Sequence, residues 1–324
     1  MDLNKTENKT KLGYILQDNL EDARKICARF LDEYPVKDGL SAKGLNDTLH
    51  AYIEDLIYLI DSLREERDLE LKSGCLVLKN HKIKIYKTDN SKLNFLNYST
   101  LPVSNCPGAA ECLAFCYSIN SLRYPGSFLR WSANTLLEKH APELLLEALD
   151  YELNKRSNQE TIKKQGFINF RLYNDGDFKD IEKLKFWMEA IKERPELKTY
   201  AYSKSWALFI SLIQLHGEQF IPENFILNLS SGSRYNNLID IMKTYKFVRG
   251  EFIGVPLIMN NKEIKKPAYK LTKEEKTELR KKAQSMGHKK VYVCPGPCSD
   301  CAKSSGHACG NKRFNDITIV TPIH

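Results

Sequence analysis

The 324-residue sequence lacks any run of 18 or more apolar residues, and its opening, Met-Asp-Leu-Asn-Lys-Thr-Glu, has no apolar stretch of the kind a secretion signal carries. A membrane span and an exported product are therefore not expected, and the reading is cytoplasmic, in the host bacterial cytoplasm if phage-encoded. That compartment is reducing, which removes the usual use for a disulfide framework. Aromatic residues are sparse where positive charge is dense: positions 261–290 hold eleven Lys/Arg against four Glu, and the one aromatic there is Tyr269. This stretch carries +7 of the formal +8, so the rest of the chain is close to neutral. It offers a nucleic-acid backbone a partner surface, but without the interleaved rings that stack on bases.

What the sequence does have is clustered cysteine. Seven of nine fall in two windows: Cys106-Pro-Gly-Ala-Ala-Glu-Cys112-Leu-Ala-Phe-Cys116, and Cys294-Pro-Gly-Pro-Cys298-Ser-Asp-Cys301 with Cys309 beyond it. Short loops bring soft thiolates together with little loss of chain entropy, so these seven are candidate metal ligands. In the first window a helical turn over Glu111 to Tyr117 would place Cys112 and Cys116 on one face. Three ligands on one loop leave a coordination position open. The second window supplies four thiolates alone, with His307 close enough to replace one. Both zinc and a [4Fe–4S] cluster accept such a set, and spacing does not separate them. Cys27 and Cys75 stand apart and read as structural.

The 42% hydrophobic content fills a substantial core. Residues 1–12 are polar without periodicity and are expected to fray. Leu20, Ala23, Ile26, Cys27 and Phe30 share one face of a helix, and Leu45, Leu49, Ile53, Leu56, Ile60 and Leu63 share one face of a second. The two form a helical hairpin broken at Pro35 to Gly39, able to cap the main domain or to pair in a homodimer. A β hairpin follows over Leu76 to Tyr86.

Strand-like and helix-like segments then alternate in six units, with strands near Leu93 to Tyr98, Phe167 to Tyr173, Thr199 to Tyr202, Asn224 to Leu229, Phe247 to Val255 and Lys290 to Val293. The fold class is α/β, a (βα)6-like partial or closed TIM-type barrel: a helical extension over 1–75, then a barrel-like domain over 76–324 with a cysteine-rich end. Polar loops follow the strands: Asn174-Asp175-Gly176-Asp177, Ser203-Lys204-Ser205, and Ser230-Ser231-Gly232-Ser233-Arg234. Ligands bind at the carboxyl ends of parallel strands, so these loops and both cysteine sets should meet at one mouth. Asp175, Asp177 and Lys204 are the catalytic candidates. Gly176, Ser230, Ser231 and Arg234 are the cofactor- or anion-binding ones.

A cysteine loop after a first strand, a Gly-acid turn after the second and six βα units resemble the radical S-adenosylmethionine enzymes. That resemblance implies a partial barrel, a [4Fe–4S] cluster on Cys106, Cys112 and Cys116, and a contact from Gly176-Asp177 to the methionyl amine. The family's C-x3-C-x2-C spacing occurs here at Cys294, Cys298 and Cys301, while the first loop reads C-x5-C-x3-C. A nearer resemblance, carried by Cys106-Pro-Gly, Cys112, Cys116-Tyr117, Gly176-Asp177-Phe178, Tyr200-Ala-Tyr-Ser-Lys204 and Cys294-Pro295, is to an uncharacterised bacteriophage protein family. The expectation is an iron–sulfur protein with one or two [4Fe–4S] clusters, using S-adenosylmethionine, a small-molecule substrate or a redox partner. The alternative is a zinc-binding protein that contacts nucleic acid through 261–290.

Overall fold

The structure is a computed structural model that describes residues 1–35, 45–90 and 93–323. The chain forms two compact units: Met1–Lys87 with Asn97–Asn105 and Tyr117–Glu160, and Thr88–Leu96 with Cys106–Cys116 and Thr161–His324.

The first unit is helical. Its elements are α1 (Thr6–Asp18), α2 (Leu20–Glu33), α3 (Leu45–Arg64), a small antiparallel sheet of β1 (Leu71–Lys72), β2 (Cys75–Val77) and β3 (Lys82–Lys84), then α4 (Tyr117–Ser121), α5 (Pro125–His140) and α6 (Pro142–Asn154). The expected apolar faces are buried at Ala23, Cys27 and Phe30 and at Leu49, Ile53, Leu56 and Ile60. Asn19 caps α2 by accepting from the Asp22 N–H, and prolines begin α5 and α6, where no helical N–H is needed. The expectation of a frayed start is overturned. Leu12 and Leu16 of α1 are fully buried, and so is Lys9, whose ammonium donates to the Leu122 carbonyl at 3.0 Å. A buried lysine hid the apolar stripe. The break expected at Pro35 to Gly39 lies, beyond Pro35, outside the described residues.

The second unit carries an eight-stranded sheet. In chain order it contains β4 (Lys87–Asn90), β5 (Leu93–Asn97), α7 (Arg156–Gln165), β6 (Ile168–Leu172), α8 (Ile181–Lys192), β7 (Leu197–Ser203), α9 (Trp206–His216), β8 (Phe225–Ser230), α10 (Ile239–Met242), β9 (Val248–Val255), the ribbon β10 (Ile258–Met259) and β11 (Lys262–Glu263), α11 (Lys273–Ser285), β12 (Val291–Val293), α12 (Cys298–Ser305) and β13 (Thr318–Pro322). The sheet order is β12-β13-β9-β8-β7-β6-β5-β4, parallel at every pairing from β12 to β6. The α/β class holds. The sheet is open, ending in β12 and β4 among the described residues, so it is no closed barrel. The sixth expected strand, β12, does not follow β9 either, because β13 is inserted between them.

Alternation along the strands sets two faces. Ile168, Phe170 and Leu172, then Phe225, Leu227 and Leu229, lie on one face and are buried. On this same side Ile253, Val255, Val293 and Val320 pack with Leu279 and Ala283 of α11. The opposite face bears Asn169, Arg171, Lys198, Tyr200, Tyr202, Ile226, Asn228 and Phe252. It is covered in part by the chain after β12, since Cys309 packs against the cluster of Phe95, Tyr200 and Ile226. Buried Arg249 ties that covering segment down. Its guanidinium donates to Asn228 Oδ1 at 2.5 Å and to the carbonyls of Phe314 at 2.9 Å, Ile317 at 2.7 Å and Glu251 at 3.0 Å.

Candidate functional site

The first cysteine loop is fastened to the strand-end loops by its backbone. Ala110 N–H donates to the Gly232 carbonyl at 3.0 Å and Arg234 N–H to the Gly108 carbonyl at 2.9 Å, with an antiparallel bridge at Ala109 and Ser233. Only glycine fits at two of these places. A Cβ on Gly108 would lie 2.0 Å from the Lys204 carbonyl oxygen, and one on Gly232 would lie 2.7 Å from the Cys112 nitrogen. Gly232 also has φ +76, a conformation that side chains resist. The Pro-Gly and Ser-Gly-Ser signals in the sequence thus mark close backbone approach.

Beneath this loop the strand-end residues interlock. Lys204 N–H donates to Asp177 Oδ2 at 2.8 Å and its ammonium to Ser230 Oγ at 2.7 Å, while Ser233 Oγ donates to the Lys204 carbonyl at 2.7 Å. Phe178 N–H donates to the other Asp177 oxygen at 2.8 Å. Asp177 is buried, and burial pushes its carboxyl above the usual range despite the N–H donors, the Ser203 hydroxyl and the Lys204 charge, which all pull it down. Burial likewise raises the Cys112 thiol; the Lys204 charge opposes this, and Cys116 and Asp177 add to it. Cys112 therefore feels the charges of Lys204, Cys116 and Asp177, and Asp177 that of Lys204.

The remaining candidates take supporting places. Gly176 adopts φ +83 to turn the chain between the two aspartates. Asp175 accepts from the Asn174 amide at 2.8 Å. Ser231 Oγ accepts from Gly254 N–H at 3.1 Å, and the Arg234 guanidinium donates to the Ala109 carbonyl at 3.1 Å, so these two brace the loop. Cys106, Cys112 and Cys116 are all partly accessible. The expected helical turn is instead a 3-10 helix over Glu111–Phe115, whose three-residue period takes Cys112 and Cys116 off a common face.

The second set belongs to the covering segment itself, the chain after β12. Cys294, Cys301 and Cys309 pack in one cluster with Phe252, Tyr292 and Ile319. Ala308 N–H donates to the Cys301 sulfur at 3.4 Å, the Tyr292 hydroxyl is 3.9 Å from the same atom, and the Tyr202 hydroxyl bonds Cys309. Burial pushes the Cys294 thiol up to about 11 and the Cys309 thiol up to about 12, with neighbouring cysteines adding to each. Cys298 is partly accessible and is one of the neighbours felt by Cys294. His307 is 5% exposed and lies between Phe95 and Tyr200, each ring centroid 5.1 Å away. Neither ring nitrogen has a hydrogen-bond partner among the described residues.

Sequence reasoning passed over Tyr202, Tyr292, Asn228 and Arg249. Their signal was polar or aromatic side chains alternating on an otherwise apolar sheet.

All nine cysteines are free thiols, so the donor chemistry suits a thiophilic metal. Among the described residues no three or more His, Cys, Asp or Glu side chains converge closely enough to hold a metal ion. Nor, among these residues, is any helix long and apolar enough to cross a membrane. No curated protein and no solved structure matches the chain. The model of the family described as Gene product 88 matches residues 75–254, more than half of the 324 and inclusive of the first cysteine loop, and the chain belongs to that family.

Proposed function

We propose that this chain is an iron–sulfur protein in which Cys106, Cys112 and Cys116 ligate a [4Fe–4S] cluster beside a reaction site at the carboxyl ends of β7 and β8. The observation that carries the reading is the loop's anchorage: three free, partly accessible thiols are mounted by backbone hydrogen bonds directly over Lys204, Asp177 and Ser230. A cluster held by three thiolates supplies one iron open to a substrate or to S-adenosylmethionine. Lys204 favours the thiolate form of Cys112, and Asp177, buried and raised, holds or passes a proton. Ser230 and the Lys204 ammonium meet the anionic end of a small-molecule substrate. Cys294, Cys298, Cys301 and Cys309 hold a second cluster. The open sheet with strands β5 to β9 in sequential order is what a partial barrel of the radical S-adenosylmethionine type would give. A reducing, cytoplasmic compartment belongs to this reading, since its ligands are free thiols.

A second reading is favoured by a separate observation. Lys270, Lys273, Arg280, Lys281 and Lys282 are exposed on and before α11, next to Tyr269, which is 58% exposed. Zinc in the cysteine sets and nucleic acid on this surface make the alternative. One preparation separates the two. Protein purified without oxygen is assayed for iron, acid-labile sulfide and zinc, with Cys112→Ser and Cys298→Ser beside it. Iron with matching sulfide, reduced in each variant, supports the cluster. Stoichiometric zinc without sulfide, together with salt-dependent binding to DNA or RNA, replaces it with the alternative.

A further inference from the structure

Lys204 and Ser230 stand at the carboxyl ends of β7 and β8. At the amino ends of β8 and β9 lies a cavity of about 380 Å³. Its floor is apolar, made by Ile221, Pro222, Phe225 and Phe247. The two rings rest on Phe209, whose centroid is 6.1 Å from that of Phe225 and 5.8 Å from that of Phe247. The walls are held in place. Glu218 Oε1 accepts from Lys246 N–H at 2.8 Å, which ties the turn after α9 to the turn before β9. The Asn224 amide nitrogen reaches the carbonyls of Ile191, Arg194 and Leu197 at 3.0, 3.0 and 3.1 Å, fixing the start of β8. An apolar floor between braced turns, with a few charged groups around it, is the general form of a small-molecule site.

The charges around this floor are of both signs. Lys246 and Lys312 bring ammonium groups, and Glu218 and Glu223 bring carboxylates. The side chains of Lys246, Lys312 and Glu223 make no ion pair or hydrogen bond with one another or with any other described residue. Opposite charges that border one cavity without meeting are both open to a single ligand. A simple anion would face the carboxylates and a simple cation the ammonium groups, so neither suits the lining alone. A small molecule that carries both charges and an apolar body suits all of it. At about 30 Å³ per water, the cavity has room for about a dozen waters, or for one molecule of about a dozen heavy atoms. Phenylalanine is of that size.

We propose that this cavity binds one free, zwitterionic aromatic α-amino acid. The ring lies on Phe225 and Phe247, the carboxylate faces Lys246 and Lys312, and the ammonium faces Glu223 and the free oxygen of Glu218. From Phe225 to Ser230 the strand β8 runs about 17 Å, at about 3.3 Å per residue, so the site is separate from the strand-end loops. It goes beyond the iron–sulfur reading and does not depend on a metal at the cysteines.

Calorimetric titration of L-phenylalanine into the full chain near neutral pH tests it, with three analogues beside it. L-Phenylalaninamide lacks the carboxylate, N-acetyl-L-phenylalanine lacks the ammonium, and L-alanine keeps both charges without the ring. The first two also imitate the ends of a peptide, the other source of the same chemistry. The expected result is saturable binding of L-phenylalanine, with each analogue about tenfold weaker or more, the difference made by one charge-assisted hydrogen bond or by burial of the ring. The double variant Lys246→Met, Lys312→Met removes the cationic side and should lower the affinity for L-phenylalanine about tenfold. Both lysines are exposed, so the fold should persist, which circular dichroism checks; the analogue series decides the matter without the variant. Three results would each overturn the proposal: no saturable binding of L-phenylalanine, an analogue that binds equally well, or an unchanged affinity in the folded double variant.

Discussion

Gly232 and Cys112 are in backbone contact: a Cβ on the glycine would lie 2.7 Å from the cysteine nitrogen and 2.9 Å from its Cβ. The Ser-Gly-Ser turn after β8 is thereby the surface on which the first cysteine loop rests. The contact also explains why the two segments, more than a hundred residues apart in the chain, are joined through Ala110 and Arg234 as well.

Gly232→Ala should consequently loosen this loop. The substitution adds a steric clash to a left-handed backbone that already costs an alanine about 1–2 kcal/mol. The expected outcome is a lower melting temperature and faster alkylation of Cys112, read peptide by peptide by mass spectrometry in metal-free protein. Unchanged Cys112 reactivity would mean that the loop is not held by this contact.

Arg249 supports a prediction about the other end of the chain. It is 1% exposed and serves four acceptors: Asn228 Oδ1 and the carbonyls of Phe314, Ile317 and Glu251. Replacing it with methionine leaves those acceptors without the donor, at a cost of about 1–3 kcal/mol for each that stays buried and unsatisfied. Arg249→Lys should recover little of this, because an ammonium cannot span the fork. Limited proteolysis should then cut after residue 294 first, in both variants. Cleavage that starts instead within β6 to β8 would contradict the assignment of Arg249 as the clamp on the covering segment.

The strands were legible where apolar residues alternate or run together, as in Phe225–Ser230, and less so where they do not. β13, Thr318–Pro322, escaped because a five-residue strand near the end of the sequence, closed by a proline, has no helix after it to mark a βα unit. Its insertion between β9 and β12 is a tertiary fact that no local period encodes. Asp177, Lys204 and Ser230 could be nominated from their places after strands, and hydrogen bonds do join them. The brace formed by Arg234 on Ala109 could not be, because an arginine in a polar loop looks the same whether it awaits an anion or binds a carbonyl. The turn at Glu111–Phe115 shows the limit of spacing arguments, since i and i+4 share a face only at the α-helical period.

Lys9 gives the pH prediction. Burial lowers its ammonium from an ordinary 10.5 to about 8, with one carbonyl and the Phe128 ring, 5.5 Å away, as its surroundings. Between those two values the unfolded chain holds the proton that the folded chain has released. The unfolded state binds more protons there, so this residue's contribution to stability rises with pH, by at most about 1.4 kcal/mol per unit. Denaturant titrations of the native protein and of Lys9→Met should diverge in the native protein's favour from pH 8 to pH 10.5. Parallel curves, or divergence the other way, would show that Lys9 keeps its proton when folded.

The last prediction concerns the charge beneath the first loop. Lys204 is the side chain that opposes burial at Cys112, and its ammonium is oriented by Ser230 Oγ at 2.7 Å. Removing the charge in Lys204→Met should disfavour the Cys112 thiolate. In metal-free protein its alkylation at a fixed pH near 8 should slow severalfold, because only the thiolate reacts. Cys27, fully buried with its thiol pushed up to about 12, serves as an internal reference that neither form should alkylate. Ser230→Ala separates charge from fastening: the ammonium remains but is no longer positioned, so the expected slowing is smaller than in Lys204→Met. If instead both variants speed the reaction, exposure rather than electrostatics governs Cys112, and the Lys204 side chain acts there as a strut through its hydrogen bond to Ser230 Oγ.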